Sequence, residues 1–265
     1  MVIVNGVIPL FKALKSTYVA VAHAVHPHIP LSPLVRLIYK KLYEVNDYVV
    51  AITERKKRAL VECLNVNEGK VKVIPLCLNT GKYKYRKISD RDKILLHVGT
   101  HEAKNLPATL KTFSDLCMEF RDLTLAVVGP HVNEALRPAK ELVKPECFSR
   151  VYTRTLTKTE LRDLYSKALV LVAPSRVEGF PYAVLEAQAS GTPAIASKVV
   201  PPEAVIDGVT GYRVENTESL SRYVRTLLYD RSLWMKMSLK AREHAENLDC
   251  HKIALEYLVL RRESQ

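Results

Sequence analysis

Two glutamates in the second half of the sequence, Glu178 and Glu186, are spaced so that both could contact one ligand. They stand in the run Pro-Ser-Arg-Val-Glu-Gly-Phe-Pro-Tyr-Ala-Val-Leu-Glu, which begins at Pro174. This run predicts a loop after a strand and then a helix, with Pro181 in the first turn, where a proline loses no hydrogen bond. Glu178 would lie in the loop and Glu186 one to two turns into the helix. Both carboxylates could therefore accept hydrogen bonds from hydroxyl groups of a ligand.

The same run has the residues that a phosphate group needs. Gly179 lets the backbone approach a ligand closely. The first amides of the helix, at Phe180, Tyr182 and Ala183, suit an anion at its N-terminus. Two glutamates at this spacing also occur as an ordinary solvated pair, so the chemistry has to be judged together with the flanking motifs.

The surrounding elements alternate short β-branched runs with amphipathic stretches, which indicates parallel strands with helices on the faces of a sheet. In the first third, strands are predicted at 2–4, 18–22, 48–52 and 71–74, and helices at 34–44 and 53–64. Thr53 is placed to cap the second of these helices. After a polar linker at 79–90, strands are predicted at 94–98, 123–128, 169–173, 194–196 and 212–214. Helices are predicted at 107–119, 158–167, 182–190 and 219–228, and a helical tail at 232–262.

This order predicts an α/β protein of two lobes. We expect residues 1–92 to form a shortened first lobe with its linker, 93–248 to form a second, complete lobe, and 249–265 to form a C-terminal helix that returns toward the first lobe. A Rossmann-like lobe usually has five or more strands, whereas the first lobe has about four. We therefore interpret the first lobe as lacking its opening βα units. The ligand is expected in the cleft between the lobes, at the carboxyl ends of the strands.

Residues 93–262 resemble the nucleotide-sugar-binding lobe of the retaining GT-B glycosyltransferases called group 1, or family four. Four runs in the same order carry the resemblance: 94–105, 125–129, 174–193 and 202–211. Weaker similarity continues into residues 1–92. The resemblance implies a GT-B architecture of two Rossmann-like lobes facing a cleft, with the N-terminal lobe incomplete. It also implies that residues 1–92 are the acceptor-side lobe and that 93–248 are the nucleotide-sugar-binding lobe.

The resemblance also implies roles for single residues. Lys104 would neutralise the donor diphosphate, because charge develops on that leaving group as the glycosidic bond breaks. Glu178 would orient the sugar, and Glu186 would hold the ribose. His23, at the end of a strand of the first lobe, would contact the sugar from the opposite side. The further donor-binding positions are Gly99, Thr100, Tyr152, Gly179, Phe180, Pro181 and Tyr182.

Two positions depart from the family pattern. Thr100 stands where the family often has arginine, so a second phosphate-binding cation is either absent or supplied by Arg176 or Arg154. Arg154 itself stands where glycine is usual, after a stretch of backbone that borders the base. The identity of the base therefore stays open.

The resemblance implies transfer of a sugar from a UDP-, GDP- or similar nucleotide sugar to an acceptor hydroxyl, with retention of the anomeric configuration and without a cofactor. Two alternatives remain open. The chain could be a donor-binding subunit or degenerate binding protein that needs a partner chain to complete its first lobe. It could also be a GT-B enzyme of another reaction, such as a sugar-nucleotide epimerase.

A metal is not expected to take part. His23, His26 and His28 lack a carboxylate partner and lie beside prolines in a loop, whereas zinc is held by three or four ligands, best placed on rigid elements. Asp90 and Asp92 lie in the linker, where a solvated charge run is the simpler interpretation. The resemblance accordingly implies a metal-independent enzyme.

The charge of the chain is +12 and is unevenly spread. Residues 1–93 carry 17 Lys and Arg against 7 Asp and Glu, a net charge of +10, whereas 94–265 carry 23 against 21, a net charge of +2. A basic first lobe predicts an anionic partner. No nucleic-acid-binding motif accompanies it, so we expect no nucleic acid but a glycan or lipid-linked acceptor and an anionic membrane surface.

The remaining composition favours a cytoplasmic protein, peripheral on the cytoplasmic membrane face at most. The sequence has no run of about 18 apolar residues, and its N-terminus lacks the features of a signal peptide. Its five cysteines show neither the spacing of a zinc site nor that of a redox motif. We therefore expect unpaired thiols in a reducing compartment.

Overall fold

The computed structural model describes residues 2–5, 18–22 and 32–263. The strands are β1 Val2–Asn5, β2 Tyr18–Ala22, β3 Tyr48–Ala51, β4 Val71–Val73, β5 Ile94–Val98, β6 Thr124–Val128, β7 Val151–Arg154, β8 Val170–Ala173, β9 Ala194–Ser197 and β10 Gly211–Val214. The α-helices are α1 Pro33–Glu44, α2 Glu54–Arg58, α3 Leu106–Leu116, α4 Val132–Leu136, α5 Pro145–Phe148, α6 Lys158–Lys167, α7 Tyr182–Ala189, α8 Thr217–Tyr229, α9 Arg231–Asn247 and α10 Cys250–Glu263. The chain forms two compact units, Met1–Cys77 with Leu248–Gln265, and Leu78–Asn247.

The first unit is built on a parallel sheet with the strand order β1-β2-β3-β4. Its strands are short, largely apolar runs, and Val49 and Ala51 of β3 lie in a core with Tyr43 of α1 and Leu60 of the π-helical turn Ala59–Cys63. The side chain of Thr53 accepts a hydrogen bond from the amide of Lys56, which confirms the predicted cap of α2.

The second unit contains a parallel sheet with the order β10-β9-β8-β5-β6-β7. Its core includes Leu95, Phe113, Leu125 and Trp234. The indole of Trp234 donates a hydrogen bond of 2.8 Å to the carbonyl oxygen of Leu169, which ties α9 to the start of β8. Strand β5 lies between β6 and β8, so the chain order reverses beside β5. In sheets of this kind the ligand binds outside the carboxyl ends of the strands at that reversal.

Several predicted elements need correction. Strand β7 and helices α4 and α5 were not predicted, because β7 lies at the edge of its sheet with half-buried residues and the two helices are only 5 and 4 residues long. The predicted tail is two helices, α9 and α10, rather than one. Asp249 separates them, and its side chain accepts a hydrogen bond from the amide of His251 at the start of α10.

The boundary between the units also lies earlier than the sequence indicated. Residues 78–92 belong to the second unit. Arg91 holds this segment there, because its buried guanidinium donates to the carbonyl oxygens of Ala168 and Ser190 and to the hydroxyl of Thr192. The polar composition of the segment resembled a linker, whereas its arginines bind the ends of helices.

The prediction of unpaired thiols is wrong for four of the five cysteines. Disulfides join Cys77 to Cys250 and Cys117 to Cys147, and Cys63 is free. The Cα atoms of the two pairs lie 4.8 and 6.0 Å apart, within the range of a disulfide. The partners are 173 and 30 residues apart in the sequence, so only the folded chain brings them together. No helix in the described residues is long and apolar enough to cross a bilayer.

Candidate functional site

The loops that follow β5 and β8 meet at the strand reversal of the second unit. Residues Leu95 and Leu96 of β5 pair with Val170 and Leu171 of β8, so the two strands end at the same edge of the sheet. Two hydrogen bonds join the loops beyond that edge. The amide of Arg176 donates to the carbonyl oxygen of Ala103 at 2.8 Å. The side-chain amide of Asn105 donates to the carbonyl oxygen of Pro174 at 3.1 Å. The sheet therefore brings together two runs that are about 70 residues apart in sequence.

A lysine and a glutamate from these loops are in direct contact. The ammonium of Lys104 lies 2.5 Å from Oε2 of Glu178, and the hydroxyl of Ser175 donates to the same oxygen at 3.2 Å. The side chains of Lys104 and Glu178 are 30% and 12% exposed, so solvent screens this pair less than a surface ion pair. A cation held in this way can transfer its contact from the carboxylate to an arriving phosphate.

The turn that carries Lys104 is closely packed. Gly99 has a φ of +106°, and a Cβ atom at this position would lie 2.9 Å from Cγ of Lys104. A side chain at residue 99 would therefore be strained and would displace the lysine. The glycine predicted from the motif is required here by both backbone conformation and space.

A buried histidine, which the sequence analysis did not single out, supports this turn. Nε2 of His97 lies 2.9 Å from the carbonyl oxygen of Gly99, and Nδ1 lies 2.8 Å from the hydroxyl of Thr109 in α3. A carbonyl only accepts hydrogen bonds, so we assign the imidazole proton to Nε2. Burial, and to a smaller extent the charge of Lys104, lowers the pKa of His97 to about 4. The only sequence signal for this residue is a histidine inside an otherwise apolar strand.

The replacement of the family arginine by Thr100 has a structural consequence. The hydroxyl of Thr100 donates a hydrogen bond of 2.5 Å to the carbonyl oxygen of Pro130 and thereby joins the turns that follow β5 and β6. Within the described part of the chain, neither Arg176 nor Arg154 forms an ion pair or hydrogen bond with the side chain of Lys104. Arg176 pairs with Glu102 at 3.1 Å, and Arg154 is exposed at the end of the edge strand β7.

Glu186 lines a cavity of about 390 Å³ in the second unit. The walls of the cavity come from α6, α7 and the segment before β5: Leu78, Asn79, Lys82, Tyr83, Lys158, Leu161, Arg162, Tyr165, Tyr182 and Glu186. The hydroxyl of Tyr83 donates to Oε1 of Glu186 and the hydroxyl of Tyr165 donates to Oε2, both at 2.9 Å. Neither tyrosine was predicted to be part of the site. The cavity combines aromatic surface, three cationic side chains and one carboxylate.

The start of α7 lies between Glu178 and Glu186. Tyr182 is the first residue of the helix, and Pro181 is its N-cap rather than a residue of its first turn, which corrects the prediction. Phe180 is buried, Gly179 is half-buried and Tyr182 is exposed. The first amides of any α-helix lack an intrahelical acceptor, so those of α7 suit an anion.

One of the predicted residues, Tyr152, is not joined to this cluster. Tyr152 pairs with Ala126 at mid-strand and lines a separate cavity of about 370 Å³, together with Asp92 and Ile94 before and at the start of β5. His23 lies outside the described residues, as do His26 and His28. Within residues 2–5, 18–22 and 32–263, no group of three or more His, Cys, Asp or Glu side chains is placed to hold a metal ion.

Comparison with known sequences shows what the chain is similar to. Residues 82–244 match the model of the family Glycosyl transferases group 1, which is more than half of the chain. An uncharacterized glycosyltransferase of Haemophilus influenzae is 26% identical over 269 aligned positions, which cover 97% of this chain and 74% of that protein. The D-inositol 3-phosphate glycosyltransferase of Streptomyces avermitilis is 28% identical over 227 positions, 76% of this chain and 48% of that protein. The chain thus spans about half the length of this second relative.

Solved structures show the same fold at lower identity. HepE of Anabaena, solved with UDP, has a TM-score of 0.79 at 16% identity over 92% of this chain and 71% of its own. A mutant of S. aureus TarM, solved with fondaparinux, α-GlcNAc-glycerol and UDP, has a TM-score of 0.76 at 17% identity over 92% of this chain and 50% of its own. The predicted α/β fold of GT-B type is confirmed by these similarities.

Proposed function

This chain belongs to the glycosyl transferases group 1 family, and from that premise we propose that it transfers a sugar from a nucleoside diphosphate sugar to an acceptor hydroxyl with retention of configuration. The observation that carries this proposal is the arrangement around α7. Lys104, which can bind phosphate, pairs with Glu178 in the loop before α7. Glu186, one turn into α7, lies in a cavity large enough for a nucleoside.

Donor binding is proposed to begin with the diphosphate. Lys104 leaves Glu178 and binds the phosphate oxygens, while the amides at the start of α7 donate to them. Glu178 is then released to accept hydrogen bonds from the sugar. As the glycosidic bond breaks, the same lysine stabilises the charge that develops on the leaving diphosphate. Departure of the diphosphate on the face where the acceptor enters allows its oxygen to take the acceptor proton, so no side chain is needed as a nucleophile.

Glu186 is proposed to bind the ribose. Its carboxylate lies in the cavity between α6 and α7, where it also meets Tyr83, Tyr165 and Tyr182. The aromatic surface can contact the base or ribose, and each carboxylate oxygen can accept a second hydrogen bond besides the one from a tyrosine.

We propose that this chemistry needs no metal ion, because Lys104 and the amides of α7 supply the positive charge. Transfer should therefore continue at the same rate in excess chelator. Loss of transfer in chelator that magnesium or manganese restores would contradict this mechanism.

The acceptor is proposed to be a glycan or a lipid-linked sugar at an anionic membrane surface. Helix α1 of the first unit supports a membrane contact. It exposes Leu34, Leu37 and Ile38, which lie on one face at helical spacing together with the exposed Lys41. An apolar face that carries basic residues fits the interface of an anionic bilayer.

A panel of nucleoside diphosphates and their sugars tests the donor proposal. A ligand that binds only the folded chain raises its melting temperature, with about 2.7 kcal/mol of stabilisation at 100 times the Kd. We expect the nucleoside diphosphate of one base, and its sugars, to raise the melting temperature. Lys104→Ala should abolish this rise but keep the rise that the free nucleoside causes. Lys93→Ala, which removes a surface lysine paired with Asp122, is the matched control.

The panel, read together with an assay of the products, has three results that lead to different conclusions. No stabilisation by any nucleotide would refute the donor proposal. Binding of a sugar nucleotide without transfer would favour the alternative of a donor-binding subunit. A converted sugar nucleotide in the absence of an acceptor would favour the alternative of an epimerase.

A further inference from the structure

We propose that Tyr83 and Tyr165 are positioning residues that orient the Glu186 carboxylate toward two neighbouring hydroxyls of a ribose, and that they make the site selective for ribonucleotides over deoxyribonucleotides. This inference rests on the proposed function and assigns the ribose selectivity to two residues outside the family motif at 174–193.

The two phenols hold the carboxylate from different parts of the chain. Tyr83 stands 103 residues before Glu186 and donates to Oε1, whereas Tyr165, in α6, stands 21 residues before it and donates to Oε2. Two hydrogen bonds to different oxygens fix the rotation of the carboxylate as well as its position. A single bond would leave the second oxygen free to turn away from the cavity.

Both phenols are buried and remain donors at neutral pH. Tyr83 is 6% exposed and Tyr165 is fully buried. Burial, together with the negative charge of Glu186, raises the pKa of Tyr83 to about 12 and that of Tyr165 well above its ordinary value of 10. A deprotonated phenol would repel the carboxylate, so these shifts extend the arrangement into alkaline pH.

Other contacts fix each tyrosine independently of Glu186. The guanidinium of Arg162 lies 5.5 Å from the ring centre of Tyr83, and Arg242 donates to the backbone oxygen of Tyr83 at 2.9 Å. The backbone oxygen of Tyr165 accepts a hydrogen bond of 2.6 Å from Thr192. The tyrosines are therefore held in place before a ligand arrives, which lowers the entropic cost of binding.

The geometry selects for a vicinal diol. A carboxylate has about four acceptor positions, of which the two tyrosines occupy two, one on each oxygen. One acceptor position remains on each oxygen, and the 2′ and 3′ hydroxyls of a ribose can each donate to one of them. A 2′-deoxyribose leaves one position unpaired in a partly buried site. Since a hydrogen bond to a charged group contributes about 1.5–3 kcal/mol, the preference for the ribonucleotide should be roughly tenfold or more.

The test compares the affinities of UDP, GDP and ADP with those of their 2′-deoxy forms by calorimetry. The wild-type chain should bind the ribonucleotide of one base at least about tenfold more tightly than its deoxy form. Tyr83→Phe and Tyr165→Phe should weaken the ribonucleotide and leave the deoxynucleotide nearly unchanged, so that the ratio falls toward one. Glu186→Ala should remove the preference altogether. Tyr223→Phe, whose ring stacks on Tyr212 away from the cavity, is the matched control and should keep the wild-type ratio.

The outcomes separate this inference from the function on which it rests. If Glu186→Ala removes the preference but both Tyr→Phe variants keep it, the positioning role is wrong and the donor proposal stands. Equal weakening of both forms by Tyr83→Phe and Tyr165→Phe would show a purely structural role and also overturn the inference. If the wild-type chain binds none of the nucleotides, the donor proposal and this inference are both refuted.

Discussion

The Glu186 carboxylate, which is proposed to bind ribose, also accepts hydrogen bonds from two buried phenols. Replacing Glu186 with alanine should abolish transfer and weaken the binding of ribonucleotides. It also leaves the hydroxyl of Tyr165 buried without an acceptor, and an unsatisfied buried group costs about 1–3 kcal/mol. We therefore expect a folded chain that unfolds at a lower temperature, measured by thermal denaturation and by circular dichroism. Unchanged kinetics in Glu186→Ala would show that the assignment of the site is wrong.

His97 is expected to make the stability of the chain depend on pH. Its pKa is about 4 in the folded chain and about 6.5 when exposed. Below pH 6.5 the unfolded chain therefore binds a proton that the folded chain does not, and stability falls as the pH falls from about 6.5 to about 4. Above pH 6.5 this histidine contributes no pH dependence. The loss between pH 7 and pH 4.5 should amount to about 2–3 kcal/mol.

Replacement of this histidine tests the assignment. His97→Gln keeps a donor for Gly99 and an acceptor for Thr109 but does not titrate, so its unfolding free energy should fall less between pH 7 and pH 4.5 than that of the wild-type chain. His251→Gln, which changes an exposed histidine of α10, is the control and should follow the wild-type curve. Parallel pH curves for His97→Gln and wild type would contradict the assignment of a neutral buried imidazole.

Helix α1 exposes an apolar face among the residues that the structure describes. Three of its apolar side chains, Leu34, Leu37 and Ile38, are 67%, 50% and 47% exposed. If this face contacts anionic lipid, the chain should co-sediment with vesicles that contain anionic lipid at low salt. The attraction should weaken at high salt, because exposed charges are screened beyond about 8 Å at physiological ionic strength.

Variants of α1 and of another helix separate a specific contact from general charge attraction. Lys41→Glu should reduce the bound fraction, since each basic residue near the surface contributes about 1 kcal/mol. Lys236→Glu, an exposed position of α9 in the second unit, should have a small effect. Equal binding to neutral vesicles, or none at low salt, would leave a glycan acceptor away from the membrane as the better proposal.

The whole molecule is cross-linked by two disulfides, which should be visible as a thiol count. The chain has five cysteines, so the unfolded, unreduced protein should show one reactive thiol, Cys63, and the reduced protein five. Removal of a native disulfide typically costs about 2–5 kcal/mol. We therefore expect reduction to lower the melting temperature, and Cys63→Ser to leave it unchanged. Five reactive thiols before reduction would contradict both pairings.

The disulfides also bear on the cellular compartment of the protein. Disulfides persist in oxidising compartments and inside hyperthermophilic cells, and they are rare in the cytosol of other organisms. The cytoplasmic location expected from the sequence stays a prediction, and the reason given for it, unpaired thiols, does not hold for Cys77, Cys117, Cys147 and Cys250.

The sequence by itself determined the features that depend on local pattern. Alternating β-branched and amphipathic runs predicted every described strand except β7, and the longer helices apart from the break between α9 and α10, because their periods are set by residues close in the chain. The motifs around Gly99, Lys104, Glu178 and Glu186 identified a site, because parallel strands that reverse order bring the loops after them to one edge. The family match confirms a glycosyltransferase, whereas the residues of the site stay a prediction.

Only the tertiary structure decided which side chains surround that site. Tyr83 and Tyr165 reach Glu186, and His97 lies beneath the Lys104 turn, although no local pattern marks them as partners. The disulfide between Cys77 and Cys250 likewise joins residues 173 positions apart. Contacts of this kind arise when helices pack on a sheet, and packing depends on long-range burial and space rather than on the spacing of residues along the chain.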